Sequence, residues 1–301
     1  MAQCLVAGRS IPWYEEVRIP REVEVREFQD KVVTITGAGS GIGRALALAY
    51  AAEGARLHLA EIDAGRAGKV EAETRLQGAD ATAHVVDCAR GAEVEALADS
   101  VFSAHGRVDV LHNNAGALVA GAAAEIALDD WRHIVDVNQW SVIHGVRAFV
   151  PRMIEQGGGG AIVNTASIAG LFGLPFVAPY SMTKFAIVGL SEALDAELAF
   201  HGIRVLALCP AAVRTNVMKD GRLGLPGAWG ERLAGLMERH APSPERAARS
   251  ILRAVRREQG PVWVGPGGWP LWGLKRISGR AYALLARALT ARALRSGGGV
   301  V

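Results

Sequence analysis

Residues 31–53 read KVVTITGAGSGIGRALALAYAAE, and this stretch decides the fold prediction. The β-branched run at 31–36 predicts a buried strand, and residues 44–53 have the pattern of a helix. The glycines at 37, 41 and 43 permit a tight turn and a close approach of the backbone to a pyrophosphate at the helix N-terminus. Their spacing is T-G-x-x-x-G-x-G rather than G-x-G-x-x-G. A Gly-rich turn can also be simple geometry, so this stretch alone leaves both interpretations open.

Strand and helix patterns alternate through most of the remaining chain. A second strand at 56–61 is followed by a helix at 64–76. Further strands are predicted at 83–87, 108–113, 161–165, 205–209 and 261–264. The spacing predicts an α/β domain at 30–265, with about seven parallel strands and helices on both faces of the sheet. Right-handed crossovers then give a doubly wound fold that binds ligands outside the carboxyl ends of its strands. We expect an N-terminal extension at 1–29 and a basic C-terminal extension at 266–301.

The composition excludes several classes of protein. With 301 residues, of which 50% are hydrophobic and 21% charged, the chain can bury a sizeable core, so it is not disordered, collagen-like or disulfide-dense. A net charge of +3 gives no strong attraction to nucleic acid. The three cysteines are odd in number, and neither they nor the histidines have metal-ligand spacing, so we predict no metal site. We expect a cytoplasmic protein, because no secretory signal or membrane-spanning run is recognisable.

A tyrosine and a lysine stand four residues apart, as Tyr180 and Lys184. On a helix they share a face, and a nearby ammonium favours phenolate, which lowers the pKa of a tyrosine from about 10. Such a phenol can donate and accept a proton. Ser167 lies upstream at the end of a predicted strand, where its hydroxyl can donate to a substrate oxygen or cap the next segment. Alone, the Y-x-x-x-K spacing also arises by chance on an exposed helix face.

Several motifs occur together in one order and spacing: Thr36–Gly43, Asn113–Gly116, Asn138, Ser167, Tyr180 and Lys184. With this combination the chain resembles the classical short-chain dehydrogenase/reductase family over roughly residues 30–265, which implies a single Rossmann-type domain. The resemblance implies that Tyr180 is the general acid/base and that Ser167 holds the substrate oxygen. It also implies that Lys184 binds the nicotinamide ribose and tunes Tyr180, and that Asn138 holds a water of the proton relay.

The same resemblance implies a nicotinamide cofactor with a defined set of contacts. Asp87 would contact adenine, although it could simply cap the next helix, and the neighbouring Cys88 has no paired base. One departure is Ala211, because the family usually has glycine after the preceding proline. The implied cofactor contacts are Thr36, Gly37, Ser40, Gly41, Ile42, Gly43, Glu61, Asp87, Cys88, Asn114, Ala115, Gly116, Tyr180, Lys184, Pro210, Val213 and Thr215.

The end of the second predicted strand bears on the choice of dinucleotide. Glu61 can accept hydrogen bonds from both adenosine ribose hydroxyls, and its charge would repel a 2′-phosphate. The family's NADP users commonly place a basic residue at positions that Ser40 and Ile62 hold here. We therefore predict NAD, and keep NADP as the less favoured alternative because Arg44 and Arg66 could reach the phosphate.

The substrate is predicted to lie under a lid at about 211–242. Apolar side chains are frequent in this segment, namely Met218, Leu223, Leu225, Trp229, Leu233, Leu236 and Met237. They suit a hydrophobic secondary alcohol or ketone of steroid-, retinoid- or acyl-like character, or they merely pack the lid against the body. The predicted function is therefore hydride transfer between the nicotinamide cofactor and such a substrate.

Other functions remain open at this point. The alternatives are an NADP-dependent carbonyl reductase, a non-catalytic nucleotide-binding scaffold, and a methyltransferase on a similar sheet. A scaffold would have no need of Asn138, Ser167, Tyr180 and Lys184 together, and a methyltransferase would not need the tyrosine–lysine pair. The family resemblance also implies a homodimer or homotetramer built through the two long helices around the fifth strand.

The C-terminal segment is basic. After Glu258 the chain has no acidic residue and six basic ones. The segment from Leu274 to Arg295 has the pattern of a helix, and its apolar stripe is Leu274, Ile277, Ala281, Leu284, Leu285 and Ala288. Such a helix suits a membrane–water interface, where each basic residue contributes about 1 kcal/mol near anionic lipid. Packing of the stripe on a neighbouring subunit or over the lid is the alternative that we slightly favour.

Overall fold

Among the described residues, nine strands follow the N-terminal extension: β1 Val32–Thr36, β2 Arg56–Glu61, β3 Ala81–Val85, β4 Val110–Asn113, β5 Val119–Gly121, β6 Gly160–Thr165, β7 Ile203–Pro210, β8 Arg222–Gly224 and β9 Val262–Val264. Seven of them form one parallel sheet in the order β9-β7-β6-β4-β1-β2-β3. The other two, β5 and β8, pair with each other in parallel. This computed structural model describes residues 5–6, 9–10, 27–211, 213–215, 220–224, 235, 241–257, 262–264 and 268–296.

Nine α-helices connect and cover these strands: α1 Gly41–Ala51, α2 Ala64–Leu76, α3 Gly91–His105, α4 Leu128–Val135, α5 Ser141–Gln156, α6 Ala178–Leu198, α7 Pro244–Arg257, α8 Gly268–Ile277 and α9 Gly279–Ser296, within the described part of the chain. A π-helical turn, Asp136–Trp140, joins α4 to α5, and short 3₁₀ turns lie at Ile168–Gly170 and Ala199–His201. In the N-terminal extension, Leu5–Val6 pairs with Arg9–Ser10.

The central strands are buried on both faces. All positions of β1 and β4 are inaccessible to solvent, because helices cover the sheet from both sides. One hydrophobic cluster packs α1, α2 and α7 on one face, and a second packs α3, α5 and α6 on the other. The strand order reverses beside β1, since β2 lies on one side of it and β4 on the other. A crevice therefore opens at the carboxyl ends of β1 and β4.

The structure confirms the predicted fold class and refines the element bounds. The strand predicted at 56–61 and the helix at 64–76 have the predicted limits. The strand predicted at 83–87 lies at 81–85, because the chain after residue 85 turns toward the crevice instead of continuing along β2. The C-terminal helix predicted from 274 to 295 is two helices that meet at Ser278, and its first half begins at Gly268. The sequence analysis did not predict β5 and β8, which are three residues each.

Candidate active site

A cavity of about 580 Å³ lies at the carboxyl ends of the strands. Its walls come from the segments that follow β1, β2, β3, β4, β6 and β7, together with the start of α6. The predicted site residues that line it are Gly37, Ser40, Gly41, Ile42, Glu61, Asp87, Cys88, Asn114, Ala115, Gly116, Ser167, Tyr180, Lys184, Pro210, Val213 and Thr215. Thr36, Gly43 and Asn138 do not line it and lie directly behind its wall, as their contacts show.

The turn between β1 and α1 is shaped by glycine. Gly37 and Gly41 have φ angles of +63° and +51°, which favour glycine over any residue with a Cβ. A Cβ on Gly43 would lie 2.1 Å from the carbonyl oxygen of Gly37, so the turn closes only without a side chain there. The turn therefore presents bare backbone and the N-terminus of α1 to the cavity, as an anionic pyrophosphate requires.

Thr36 and Asn114 join this turn to the end of β4. The Thr36 hydroxyl donates to the His112 carbonyl at 3.2 Å and accepts from the backbone N–H groups of Asn114 and Ala115 at 2.9 and 3.0 Å. The Asn114 amide donates to the carbonyls of Thr36 and Gly37 at 3.0 and 3.3 Å. These bonds fix the wall on both sides of the crevice.

Glu61 ends β2 with its carboxylate at the glycine turn. Its Oε2 accepts from the backbone N–H of Gly39 at 2.9 Å, and its Oε1 accepts from that of Asp63 at 3.2 Å. Arg44 and Arg66, the two cations that could have favoured the 2′-phosphate of NADP, are each paired with a carboxylate. Arg44 lies 2.7 Å from Glu73, and Arg66 lies 3.2 Å from Asp220.

The segment after β3 holds an acidic residue and a thiol in the cavity wall. Asp87 accepts from the Ala89 N–H at 3.0 Å, so its carboxylate stabilises the turn that leads to α3. Burial is the main cause that raises the pKa of the Cys88 thiol to about 12, and nearby carboxylates add to the shift. Cys209 at the end of β7 is buried as well, and its pKa is also raised to about 12. Both thiols therefore stay protonated near neutral pH, as an inert structural thiol would.

Ser167, Tyr180 and Lys184 meet at one wall of the cavity. Ser167 follows β6 and accepts from the Ala169 N–H at 3.1 Å, so it caps the 3₁₀ turn as well as facing the cavity. Tyr180 and Lys184 lie one turn apart on α6, and Lys184 Nζ donates to the Thr165 carbonyl at 2.7 Å. Burial lowers the pKa of Lys184 to about 8.

The prediction that Lys184 lowers the pKa of Tyr180 is wrong for this structure. Burial raises the pKa of Tyr180, and the opposing cause is its hydrogen bond with Ser167. The Lys184 ammonium lies 5.6 Å from the centroid of the Tyr180 ring and is engaged with a backbone carbonyl. The loss of hydration on burial is therefore the largest effect on the pKa of this phenol.

Asn138 lies in the π-helical turn and is fully buried. Its side chain accepts from the Ala117 N–H at 2.7 Å and donates to the Ala117 carbonyl and the Thr183 hydroxyl, both at 3.1 Å. A Cβ on Gly116 would lie 3.3 Å from Asn138 Oδ1 and 3.5 Å from Lys184 Nζ. Asn138 therefore braces the wall behind the lysine, and its implied contact with a relay water stays a prediction.

The substrate side of the cavity includes three apolar residues that the sequence analysis did not name. Ile168, Leu174 and Val177, between Ser167 and Tyr180, line the cavity. The sequence analysis missed them, although their place between two predicted catalytic residues was a usable signal. Of the apolar lid residues that were predicted to line it, only Leu223 lies within the described residues, and it is exposed. Met218, Leu225, Trp229, Leu233, Leu236 and Met237 lie outside them.

The described lining of the cavity fits a dinucleotide. Three features form a cradle for such a cofactor. The bare glycine turn suits a pyrophosphate, the carboxylate of Glu61 beside it suits the adenosine ribose, and the basic Lys184 at the far wall suits the nicotinamide ribose. Across the part of the chain that the structure describes, no group of three or more histidine, cysteine or acidic side chains could hold a metal ion.

Comparison with known proteins identifies relatives of this chain. The family model of short chain dehydrogenase matches residues 31–224. The oxidoreductase EphD of Mycobacterium tuberculosis is 33% identical over 267 residues, which are 86% of this chain and 45% of EphD, so the chain spans less than half the length of that relative. The oxidoreductase SadH of the same species is 35% identical over 269 residues, covering 88% of this chain and 97% of SadH. The cyclohexanol dehydrogenase of an Acinetobacter strain is 34% identical over 224 residues, covering 70% of this chain and 89% of that enzyme.

Solved structures agree with this assignment. A short chain dehydrogenase/reductase from Burkholderia phymatum in complex with NAD superposes with a TM-score of 0.79 at 33% identity, covering 83% of this chain and 94% of that one. L-sorbose reductase from Gluconobacter frateurii, complexed with NADPH and L-sorbose, superposes with a TM-score of 0.71 at 28% identity, covering 80% and 97%. The chain therefore belongs to the short-chain dehydrogenase/reductase family.

Proposed function

We propose that this protein interconverts hydrophobic secondary alcohols and ketones with NAD. The observation that carries the proposal is the convergence of Ser167, Tyr180 and Lys184 on one wall of a cavity with a dinucleotide cradle at its other end. A nucleotide-binding scaffold would use the cradle but would have no need of these three side chains.

Each of the three side chains has a task in this reaction. When bound, the nicotinamide ring takes up or delivers the hydride. In the oxidation, the phenolate of Tyr180 accepts the hydroxyl proton of the alcohol, and in the reduction the phenol returns it. Ser167 donates a hydrogen bond to the same substrate oxygen. With a pKa of about 8, Lys184 remains largely protonated at neutral pH and supplies a positive charge near the nicotinamide ribose.

The preference for NAD over NADP rests on the surroundings of Glu61. Its carboxylate lies where the adenosine ribose would bind, and a 2′-phosphate there would meet a negative charge. Arg44 and Arg66 form ion pairs with Glu73 and Asp220, and these pairs partly neutralise the two cations that could offset that repulsion.

Replacing Glu61 by serine and Ile62 by arginine is expected to reverse this preference. The change removes the repelling carboxylate and adds a guanidinium at an exposed position beside the expected 2′-phosphate. Titration of both dinucleotides against parent and variant measures the effect, and we expect the ratio of the two dissociation constants to change by about a hundredfold, or 2.8 kcal/mol. A parent that already binds NADP more tightly than NAD would contradict our interpretation of Glu61.

The substrate class rests on the apolar wall that Ile168, Leu174 and Val177 form next to Ser167 and Tyr180. Apolar walls with a few polar groups favour hydrophobic ligands held by one oriented oxygen. The relative named cyclohexanol dehydrogenase is consistent with a secondary alcohol. The test is an NAD-coupled screen of 2-alkanols from 2-butanol to 2-dodecanol together with cyclic alcohols. Turnover that improves with apolar size supports the proposal, and the absence of turnover with every alcohol and ketone favours a scaffold.

The proposed assembly is a homodimer or homotetramer through α5 and α6. Trp140 just before α5 and Met182 on α6 are exposed large apolar side chains, which often mark protein interfaces. Sizing by light scattering distinguishes these states from a monomer.

We further propose that α8 and α9 make a peripheral contact with an anionic membrane surface. The predicted stripe does not pack on the body, because Tyr282 rather than Leu284 faces it. Ile277, Leu284 and Leu289 are exposed by 88%, 66% and 53%. Basic residues and no acidic ones accompany them, so two copies of this face would repel each other, whereas anionic lipid would attract it. None of the helices that the structure describes is long and apolar enough to cross a bilayer, so the contact would be interfacial.

Replacing Leu284 and Leu289 by glutamine should weaken vesicle binding at least tenfold. Both side chains are exposed, so the fold should tolerate the change, while the apolar area available to lipid falls. Flotation with phosphatidylglycerol-containing and pure phosphatidylcholine vesicles measures the effect. Leu76→Gln is the matched control, because Leu76 is 88% exposed on α2. A parent that fails to float with anionic vesicles, or a variant with an altered oligomer size, contradicts the lipid contact.

A further inference from the structure

The C-terminal helices hold the segment that follows Ser167. Lys275 on α8 donates from Nζ to the Leu171 carbonyl at 2.9 Å, and its ammonium lies 4.4 Å from the centroid of the Phe185 ring on α6. On α9, the hydroxyl of Tyr282 donates to the Gly173 carbonyl. Two helices that are remote in sequence thus bind the carbonyls of Leu171 and Gly173 in one short segment.

Apolar packing keeps these two donors in place. Leu271, Trp272 and Tyr282 pack against the hydrophobic cluster that contains Phe172. The ring centroids of Phe172 and Tyr282 are 6.2 Å apart, and Phe172 is fully buried. The contact is therefore part of the folded core and is more than a surface hydrogen bond.

The held segment is also a wall of the cavity. Residues 168–177 contribute Ile168, Leu174 and Val177 to the lining. At its start the segment packs closely on α6, because a Cβ on Gly170 would lie 2.5 Å from the Lys184 carbonyl oxygen. At its end, the Leu174 N–H donates to the Ser181 hydroxyl at 3.3 Å. Between these anchors, residues 171–173 are held by Lys275 and Tyr282 from the side away from the cavity.

We propose that Lys275 and Tyr282 are positioning residues that set the shape of the substrate wall and thereby the size of alcohol that the cavity accepts. This inference rests on the proposed function for its kinetic consequence. Neither residue lines the cavity, so both act through the position of Leu174 and Val177. A wall released from these bonds would shift relative to Ser167 and Tyr180, and large substrates would be affected most because they contact more of it.

The test combines Lys275→Met with Tyr282→Phe. Phenylalanine keeps the ring against Phe172, and methionine keeps an unbranched side chain at 275, so the variant retains most of the packing. It loses the two hydrogen bonds and the contact of the ammonium with the Phe185 ring. We expect KM for the larger 2-alkanols to change by about tenfold, with kcat for 2-butanol and the dissociation constant of NAD unchanged. A tenfold change corresponds to about 1.4 kcal/mol, which is close to the net free energy that a hydrogen bond to a charged group commonly contributes. Arg280→Met is the matched control, because Arg280 is an exposed basic residue on α9.

Hydrogen exchange gives a second readout that is independent of turnover. Amides of residues 171–174 should lose protection in the double variant, keep it in Arg280→Met, and recover part of it when arginine replaces methionine at 275. Unchanged exchange at 171–174, or a KM effect equal for small and large alcohols, overturns the inference. A parent that oxidises no alcohol contradicts the proposed function alone, because the exchange experiment still decides whether the two residues hold the wall.

Discussion

The Tyr180→Phe protein is expected to turn over its substrate about 10² to 10⁴ times more slowly than the parent. The change removes one hydroxyl, and general acid/base catalysis by a positioned side chain typically contributes this factor. Dissociation constants for NAD should stay within a few-fold of the parent, since the glycine turn and Glu61 lie at the other end of the cavity. Steady-state turnover and a binding titration on the same preparation separate the two effects. Turnover within a few-fold of the parent would refute the assignment of the proton-transfer group.

The pH dependence provides a control for this result. Burial raises the pKa of Tyr180, so the phenol is mostly protonated at neutral pH. Only the phenolate can accept a proton, and the rate of alcohol oxidation should therefore rise with pH into the alkaline range. Ketone reduction needs the protonated phenol and should not rise in the same way. The residual activity of Tyr180→Phe should lack the alkaline rise, whereas a merely destabilised enzyme would keep it.

The parts of the fold that could be predicted are those with strong local signals. The strand at 56–61 and the helix at 64–76 have clear patterns, and Asp63 caps that helix by accepting from the Arg66 N–H at 2.8 Å. The third strand lies at 81–85 instead of the predicted 83–87, because pairing with β2, rather than its own sequence, fixes the register. The pair of β5 and β8 depends on contacts between residues about a hundred positions apart, and no local pattern indicates it.

The residues of the candidate site could be predicted from the sequence, but their pKa shifts could not. Ser167, Tyr180 and Lys184 are recognisable from their spacing, and the fold brings them to one wall. The sequence cannot tell how deeply a phenol is buried or which carbonyl engages an ammonium, so the predicted direction of the Tyr180 pKa shift was wrong. Similarly, the side of α9 that faces the body is set by Phe172, far away in sequence, and helical periodicity does not reveal it.

Gly43→Ala is expected to weaken NAD binding by about a hundredfold. The added Cβ would lie 2.1 Å from the Gly37 carbonyl oxygen and 2.7 Å from the Asn114 amide nitrogen. The first of these atoms is backbone, so the turn itself must open, and the Asn114 amide would lose its bonds to the carbonyls of Thr36 and Gly37. Overpacking of this kind costs about 1–3 kcal/mol in stability. Isothermal titration with NAD and a thermal melt measure the two effects on the same variant.

The matched control for Gly43→Ala is Gly68→Ala, the same chemical change in the middle of α2. A Cβ at Gly68 has no neighbour within 4 Å, and alanine is favoured over glycine inside a helix by about 1 kcal/mol. Gly68→Ala should therefore melt at the parent temperature or above it and bind NAD normally. The contrast separates the steric demand of the turn from the general effect of removing a glycine. If Gly43→Ala binds NAD as tightly as Gly68→Ala does, the turn does not approach the pyrophosphate, and the dinucleotide must be held elsewhere in the cavity.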